Sequence, residues 1–214
     1  MACQLCEKRK ARRYCPAVRG DICPVCCGEQ REETLDCPLD CEHLQEARTY
    51  EKLPELDRTQ MPYPEIEVRD SFLDRNDHLL RFLGGVLLES ALSSPQVIDE
   101  DLRECLDSLA RTYKTLETGL LYETVPSNII AAAIYRRLQD QLRQYRELMR
   151  RETGVATVRD ADILGVLVFL LRLEVGYRNG RRRSRAFIDL LRRHFEPGAI
   201  SASPHASPSR LLMP

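Results

Sequence analysis

The chain has no tryptophan and only 6% aromatic residues, so the 43% hydrophobic content that must supply a core is mostly aliphatic. No stretch of about 18–20 apolar residues occurs, which excludes a membrane-spanning helix. The longest candidate, Ile163 to Leu171, stops at Arg172 and reads as a helix buried at the centre of a bundle. Signatures of catalysis are missing too. There is no H-E-x-x-H, no Glu-x-x-His pair of the di-iron bundle kind, no phosphate-cradling glycine loop and no G-x-S-x-G, so an enzyme is not expected. The opening Met1-Ala2-Cys3 shows no charged n-region, apolar h-region or cleavage site, which makes the expected location cytoplasmic.

What is present is cysteine. Eight of the nine cysteines fall between Cys3 and Cys41, followed by His43. Their spacing is Cys3-x2-Cys6, then Cys15, then Cys23-Pro-Val-Cys26-Cys27-Gly28, then Cys37-x3-Cys41-x-His43. A disulfide framework needs an oxidising compartment, which the lack of a leader argues against. A thioredoxin-like motif would need a strand–helix alternation that does not follow. An iron–sulfur cluster would use four cysteines and leave the others unexplained, and the C-x2-C-x2-C run is missing. Zinc remains. Eight thiolates divide into two closed tetrahedral sites with no position open to water or substrate, so the expectation is two structural zincs per chain. Adjacent side chains cannot easily converge on one ion, so Cys26 and Cys27 are expected at different ions. That interleaves the sites as Cys3, Cys6, Cys23 and Cys26 around one zinc, and Cys15, Cys27, Cys37 and Cys41 around the other. His43, just inside a helix start, is a substitute for Cys41 or Cys27, or a surface group or outer partner of the ligands.

The string Cys3-Gln4-Leu5-Cys6-Glu7-Lys8-Arg9-Lys10-Ala11-Arg12-Arg13-Tyr14-Cys15-Pro16, with Ile22-Cys23-Pro24-Val25-Cys26-Cys27-Gly28 and Cys37-Pro38-Leu39-Asp40-Cys41-Glu42-His43-Leu44, resembles the N-terminal cysteine box of a bacterial family with acidobacterial members. The helical part, through Arg159-Asp160-Ala161-Asp162 and Asn179-Gly180-Arg181-Arg182-Arg183, is similar to that family as well. The resemblance implies no activity. In broader shape the box is similar to cross-brace zinc fingers of the B-box and HIT kinds, which implies protein contacts. It departs from them in the isolated Cys15 and the doubled Cys26-Cys27.

Beyond the cysteine module, residues 1–48, the segment 49–70 with Pro54, Pro62 and Pro64 reads as a linker. Residues 71–196 then carry apolar positions that step by three and four, as one face of a helix does. A capping box at Ser71 to Asp74 opens the first helix, with Gly84-Gly85 marking a close crossing. Ser94-Pro95 opens the second, with Ile98, Leu102, Leu106, Leu109, Tyr113, Leu116 and Leu120 on its stripe. The third, after Pro126, carries Ile130, Ile134, Leu138, Leu142, Tyr145 and Met149 and ends at Gly154. A capping box at Thr157 to Asp160 opens the fourth, and a fifth covers about Arg182 to Phe195. The fold class is therefore mainly α: a small zinc module followed by a bundle of about five helices. The Ser-, Pro- and Ala-rich tail, 197–214, is expected to be disordered. Cys105 falls on a core-facing stripe, as a small buried hydrophobe would.

Net charge is only −1 but unevenly spread. Glu55 to Glu123 holds fifteen acidic and seven basic residues, whereas Arg172 to Arg193 holds two acidic and eight basic. Helices of opposite charge can pair within the bundle. The sharper expectation is a surface patch of Arg178, Arg181, Arg182, Arg183 and Arg185 for phosphate or an acidic partner. Two functions follow: a non-enzymatic zinc-binding adaptor or regulator that contacts other proteins, or a nucleic-acid-associated protein that combines this patch with the basic finger loop Lys8 to Arg13.

Overall fold

A computed structural model describes residues 1–51, 61–117, 119, 122–153 and 158–198. Pro54 of the linker, Leu120 of the second helix stripe, Gly154, Thr157 and residues 199–214 of the tail lie outside the described residues.

The cysteine module contains a hairpin of β1 (Arg13–Cys15) and β2 (Gly20–Ile22), paired antiparallel with Tyr14 opposite Asp21. Arg19 closes its turn at φ +53°, in the left-handed region. Two seven-residue helices follow, α1 (Pro24–Gln30) and α2 (Glu42–Arg48). Pro24 suits the first helical position because its missing N–H would have had no helical partner there.

The bundle comprises α3 (Asp70–Arg75), α4 (Asp77–Leu92), α5 (Asp99–Glu117), α6 (Ile129–Thr153), α7 (Asp160–Tyr177) and α8 (Ala186–His194). Where the sequence suggested one helix from Ser71, the chain breaks at Asn76 (φ −111°, ψ 18°), whose side-chain amide donates to the Phe72 carbonyl at 3.0 Å. α5 starts later than Ser94-Pro95 because Asp101 accepts the Ile98 N–H at 2.9 Å and sets the helix start there. Asn128 caps α6, its Oδ1 accepting from Ile130 N at 2.8 Å.

α7 is the central element. It is buried from Asp162 to Leu171 and packs most extensively on α5, with α4 and α8 on its other sides. Where its apolar run ends, Arg172 donates to the carbonyls of Pro62 (3.1 Å), Tyr63 (2.6 Å) and Ile66 (2.8 Å), tying the segment before α3 to the bundle. Gly84 of α4 leaves space for the Phe195 ring. A Cβ there would lie 2.3 Å from it, so this glycine does mark a close approach, made by the chain just beyond α8. The buried apolar residues form two clusters, one in the bundle and one in the cysteine module, and Leu39 of the module belongs to the bundle's.

One buried carboxylate in the bundle is poorly solvated. Glu174 of α7 is 1% exposed, and its Oε2 has no hydrogen-bond partner among the described residues. Burial, reinforced by the charge of Asp99, pushes its carboxyl up to about 7. The folded chain therefore holds this proton at pH values where the unfolded chain has lost it. Stability from the neutral carboxyl is full below the ordinary carboxylate range and is lost as pH rises through about 7. Glu174→Gln should thus stabilise the chain by up to about 3 kcal/mol above neutrality and change little in mild acid. Melting temperatures across that range check it, and equal shifts at both ends would contradict it.

Candidate metal centre

Cys3 and Cys6 lie on a tight turn in which Glu7 N donates to the Cys3 carbonyl at 2.8 Å. Glu7 takes φ +54°, a left-handed conformation that reverses the chain after the second cysteine. Cys23 caps α1, its Sγ accepting the Cys26 N–H at 3.4 Å. The hairpin joins these turns: Gln4 N donates to Asp21 O at 3.1 Å and Arg12 N to Ile22 O at 3.0 Å. The Sγ atoms of Cys3, Cys6, Cys23 and Cys26 consequently lie within 4.8 Å of one another, the only such group of potential ligands among the described residues. Four sulfurs around a tetrahedral ion would be about 3.8 Å apart for a metal–sulfur bond of about 2.3 Å, so little movement is needed. This group can hold a metal ion.

The electrostatics agree. Burial raises the Cys3 thiol, but the N–H groups of Cys23, Cys6 and Leu5 outweigh it and bring it down to about 6. Cys26 is pushed up to about 12 by burial and by the thiols of Cys23, Cys6 and Cys3. Crowded sulfurs share protons in this way when one thiolate forbids the next. Arg9 stands beside Cys23, with its guanidinium pKa raised by that contact.

The remaining cysteines of the module gather differently. Cys15 of β1, Cys27 of α1, Cys37 and Cys41 line one small cavity of about 10 Å³, together with His43. His43 Nδ1 is buried and has no hydrogen-bond partner among the described residues, with Glu46 Oε2 at 3.9 Å. Cys27 Sγ lies 3.8 Å from both Arg13 Nη1 and Arg31 Nη2. Cys37 is pushed up to about 11, chiefly by burial, with the N–H of Glu32 opposing and the charges of Glu32, Cys15 and Cys41 adding. Cys105 stands apart in the bundle core, its thiol raised by burial.

The expected arginine patch is divided by the structure. Arg181 Nη1 donates to the carbonyls of Gly28 (3.3 Å) and Arg31 (2.5 Å), and Arg183 pairs with Asp36. The N–H of Arg183 donates to Glu32 O at 2.7 Å, and that of Arg185 to Glu32 Oε1 at 3.0 Å. These residues meet the cysteine module, while Arg178 and Arg182 stay exposed. The module's own finger loop is exposed at Lys8, Arg9, Lys10 and Arg12.

The centre of this contact carried no sequence signal. Glu32 is fully buried at φ +52° and also accepts from Asn179 Nδ2 at 2.8 Å. The buried Arg48 side chain bridges Glu32 Oε1 (2.8 Å) and Asp189 Oδ2 of α8 (2.9 Å). Arg192 and Arg193 pair with the same aspartate, at 2.9 and 2.6 Å. Burial works to raise Asp189, but Arg193, Arg48 and Arg192 hold it below the usual carboxylate range. Only the spacing of Asp189 to Arg192 and Arg193, three and four residues on, could have been read from the chain.

Comparison with protein-family models, curated proteins and solved structures finds no match. No helix among the described residues is long and apolar enough to cross a membrane.

Proposed function

We propose that this protein is a non-enzymatic adaptor or regulator in which a zinc module, fixed to a helical bundle, presents a surface to a protein partner. The observation that carries the reading is the convergence of Cys3, Cys6, Cys23 and Cys26, four sulfur donors within 4.8 Å of one another, the number that a closed tetrahedral site takes. Soft thiolates in that number select zinc among the common divalent ions, and a fully ligated zinc shapes a fold instead of activating water. Cys15, Cys27, Cys37 and Cys41 would take a second zinc. One side of the module is occupied by the bundle through Glu32, Asp36 and Arg48. The module also exposes Tyr14 of β1 (60%), Val25 of α1 (42%) and the basic finger loop. An exposed aromatic that follows a run of exposed cations in the chain suits an acidic protein surface. The likeness of the cysteine box to cross-brace fingers points the same way.

The second reading, a nucleic-acid-associated protein, is supported by the exposed finger-loop cations with Arg178 and Arg182. It is weakened because the Arg181 guanidinium is held by the Gly28 and Arg31 carbonyls, Arg183 pairs with Asp36, and Arg185 is buried. Native mass and elemental analysis of the chain purified without added metal should find zinc. Titration with single- and double-stranded oligonucleotides should show no binding that survives physiological salt. Binding that weakens steeply and linearly with the logarithm of salt concentration would replace the adaptor by the nucleic-acid reading. A chain free of metal, with all its thiols reactive, would overturn both.

A further inference from the structure

Resting on the zinc reading of the module, we propose that the cavity between β1, α1 and α2 is a second zinc site, held more weakly than the first, whose occupancy governs how firmly the module docks on α8. Five residues with metal-ligating side chains line a space of about 10 Å³, the room one water-sized body requires: Cys15, Cys27, Cys37, Cys41 and His43, whose buried Nδ1 makes no hydrogen bond among the described residues. Arg13 and Arg31, both 3.8 Å from Cys27 Sγ, offset the negative charge that thiolates leave around a divalent ion. Binding is ligand exchange alone. The zinc ion gains four donors and loses its waters, and each ligating thiol gives its proton to solvent.

The difference in strength follows from preorganisation. The four sulfurs of the first site already stand within 4.8 Å of one another, while no three donors of the second do. Closing the second site must draw its donors together, and that ordering is subtracted from the binding free energy.

The coupling follows from which segments supply the donors. Cys27 sits on the helix whose exit carries Glu32, Cys37 adjoins Asp36, and Cys41 and His43 open the helix that carries Gln45 and Arg48. These are the groups that meet the bundle: Glu32 and Asp189 through Arg48, Asp36 through Arg183, and Asp189 Oδ1 through Gln45 at 3.3 Å. α2 has seven residues, and its N-cap, Cys41, makes no side-chain capping bond. A helix this short does not persist unaided, so a zinc at its first turn would hold Arg48 in place. The first site reaches the interface only through α1, which Cys23 caps and Cys26 shares with Cys27; none of its ligands adjoins Asp36 or lies on α2 with Gln45 and Arg48.

The test uses the full chain loaded with zinc, stripped stepwise by a chelator, and followed by native mass spectrometry and hydrogen exchange. Two zincs should bind. The first to leave should raise exchange about tenfold or more over residues 31–48 and 183–194 while residues 1–26 stay protected. The double variant Cys37→Ser with Cys41→Ser leaves three of the five donors and should give the one-zinc chain directly, with the same exchange pattern. A chain that binds one zinc at saturation, or a Cys37→Ser, Cys41→Ser variant that keeps two, overturns the second site and leaves the first standing. Two zincs whose first loss opens residues 1–26, or leaves α8 protected, overturns the coupling. A chain that binds no zinc overturns the reading of the module itself.

Discussion

Arg48→Met is expected to destabilise the docked chain by about 3–5 kcal/mol, the range for removing one partner from a buried ion pair. The guanidinium is the only side-chain cation that meets both Glu32 and Asp189 among the described residues, and both carboxylates are shut off from water. After its removal Glu32 keeps only Asn179 and the Arg185 N–H, which are neutral donors that cannot offset a buried charge. Asp189 keeps Arg192 and Arg193, so most of the loss should arise at Glu32. Arg48→Lys should recover part of it, because a single ammonium cannot fork between two carboxylates. The double variant Glu32→Gln with Arg48→Met should recover more, since no bare charge remains. Denaturant midpoints for the three variants check the order. Equal stability of Arg48→Met and the parent chain would show that water reaches this contact and that the clamp contributes nothing.

A larger loss is expected at the metal centre. Structural zinc in small modules carries on the order of 10–16 kcal/mol of apparent binding free energy, comparable to or greater than the stability of an ordinary domain. The double variant Cys3→Ser with Cys26→Ser leaves two thiols, too few for a closed site. It should lose that ion and unfold the hairpin and α1, whose own buried cluster consists largely of the cysteines with Ile22, Leu35 and Leu44. The bundle's core reaches from Leu79 to Phe195 and takes only Leu39 from the module, so α4 to α8 should persist. Elemental analysis with far-ultraviolet circular dichroism reads both: zinc falls, while most of the helical signal remains because α1 and α2 are only seven residues each. Loss of the whole helical signal would mean that the bundle cannot fold without the module. Retention of metal would place the ion elsewhere.

The mainly helical fold was legible because its signal is a long, repeated period. The stripe from Leu102 through Tyr113 and that from Ile134 through Tyr145 are buried as the stepping requires. The grouping of Cys3, Cys6, Cys23 and Cys26 was legible for a local steric reason, the doubling of Cys26-Cys27, which sends two neighbours to different places. Element starts were harder. Asn76 interrupts a helix without glycine or proline, and Asp101 moves the start of α5 by an interaction that competes with the Ser94-Pro95 signal. The three-residue strands of the hairpin are too short to alternate visibly. The arginines between α7 and α8 read as a charge run because their acceptors, the Gly28 and Arg31 carbonyls and Asp36, lie about 150 residues earlier in the chain. No local pattern links groups so distant.

The inward turn of Glu32 and Leu39 has a consequence for any attempt to move the metal centre into another protein. Excised on its own, the cysteine-rich segment would display a carboxylate and a leucine that are 0% and 6% exposed in the intact chain, together with Arg48 stripped of Asp189. It would therefore lose the partners that fix these three side chains and be a less firmly held fragment, not a portable finger. The smallest transferable piece includes α8 and the arginine-bearing turn before it, which makes the helical part as much the module's foundation as its neighbour.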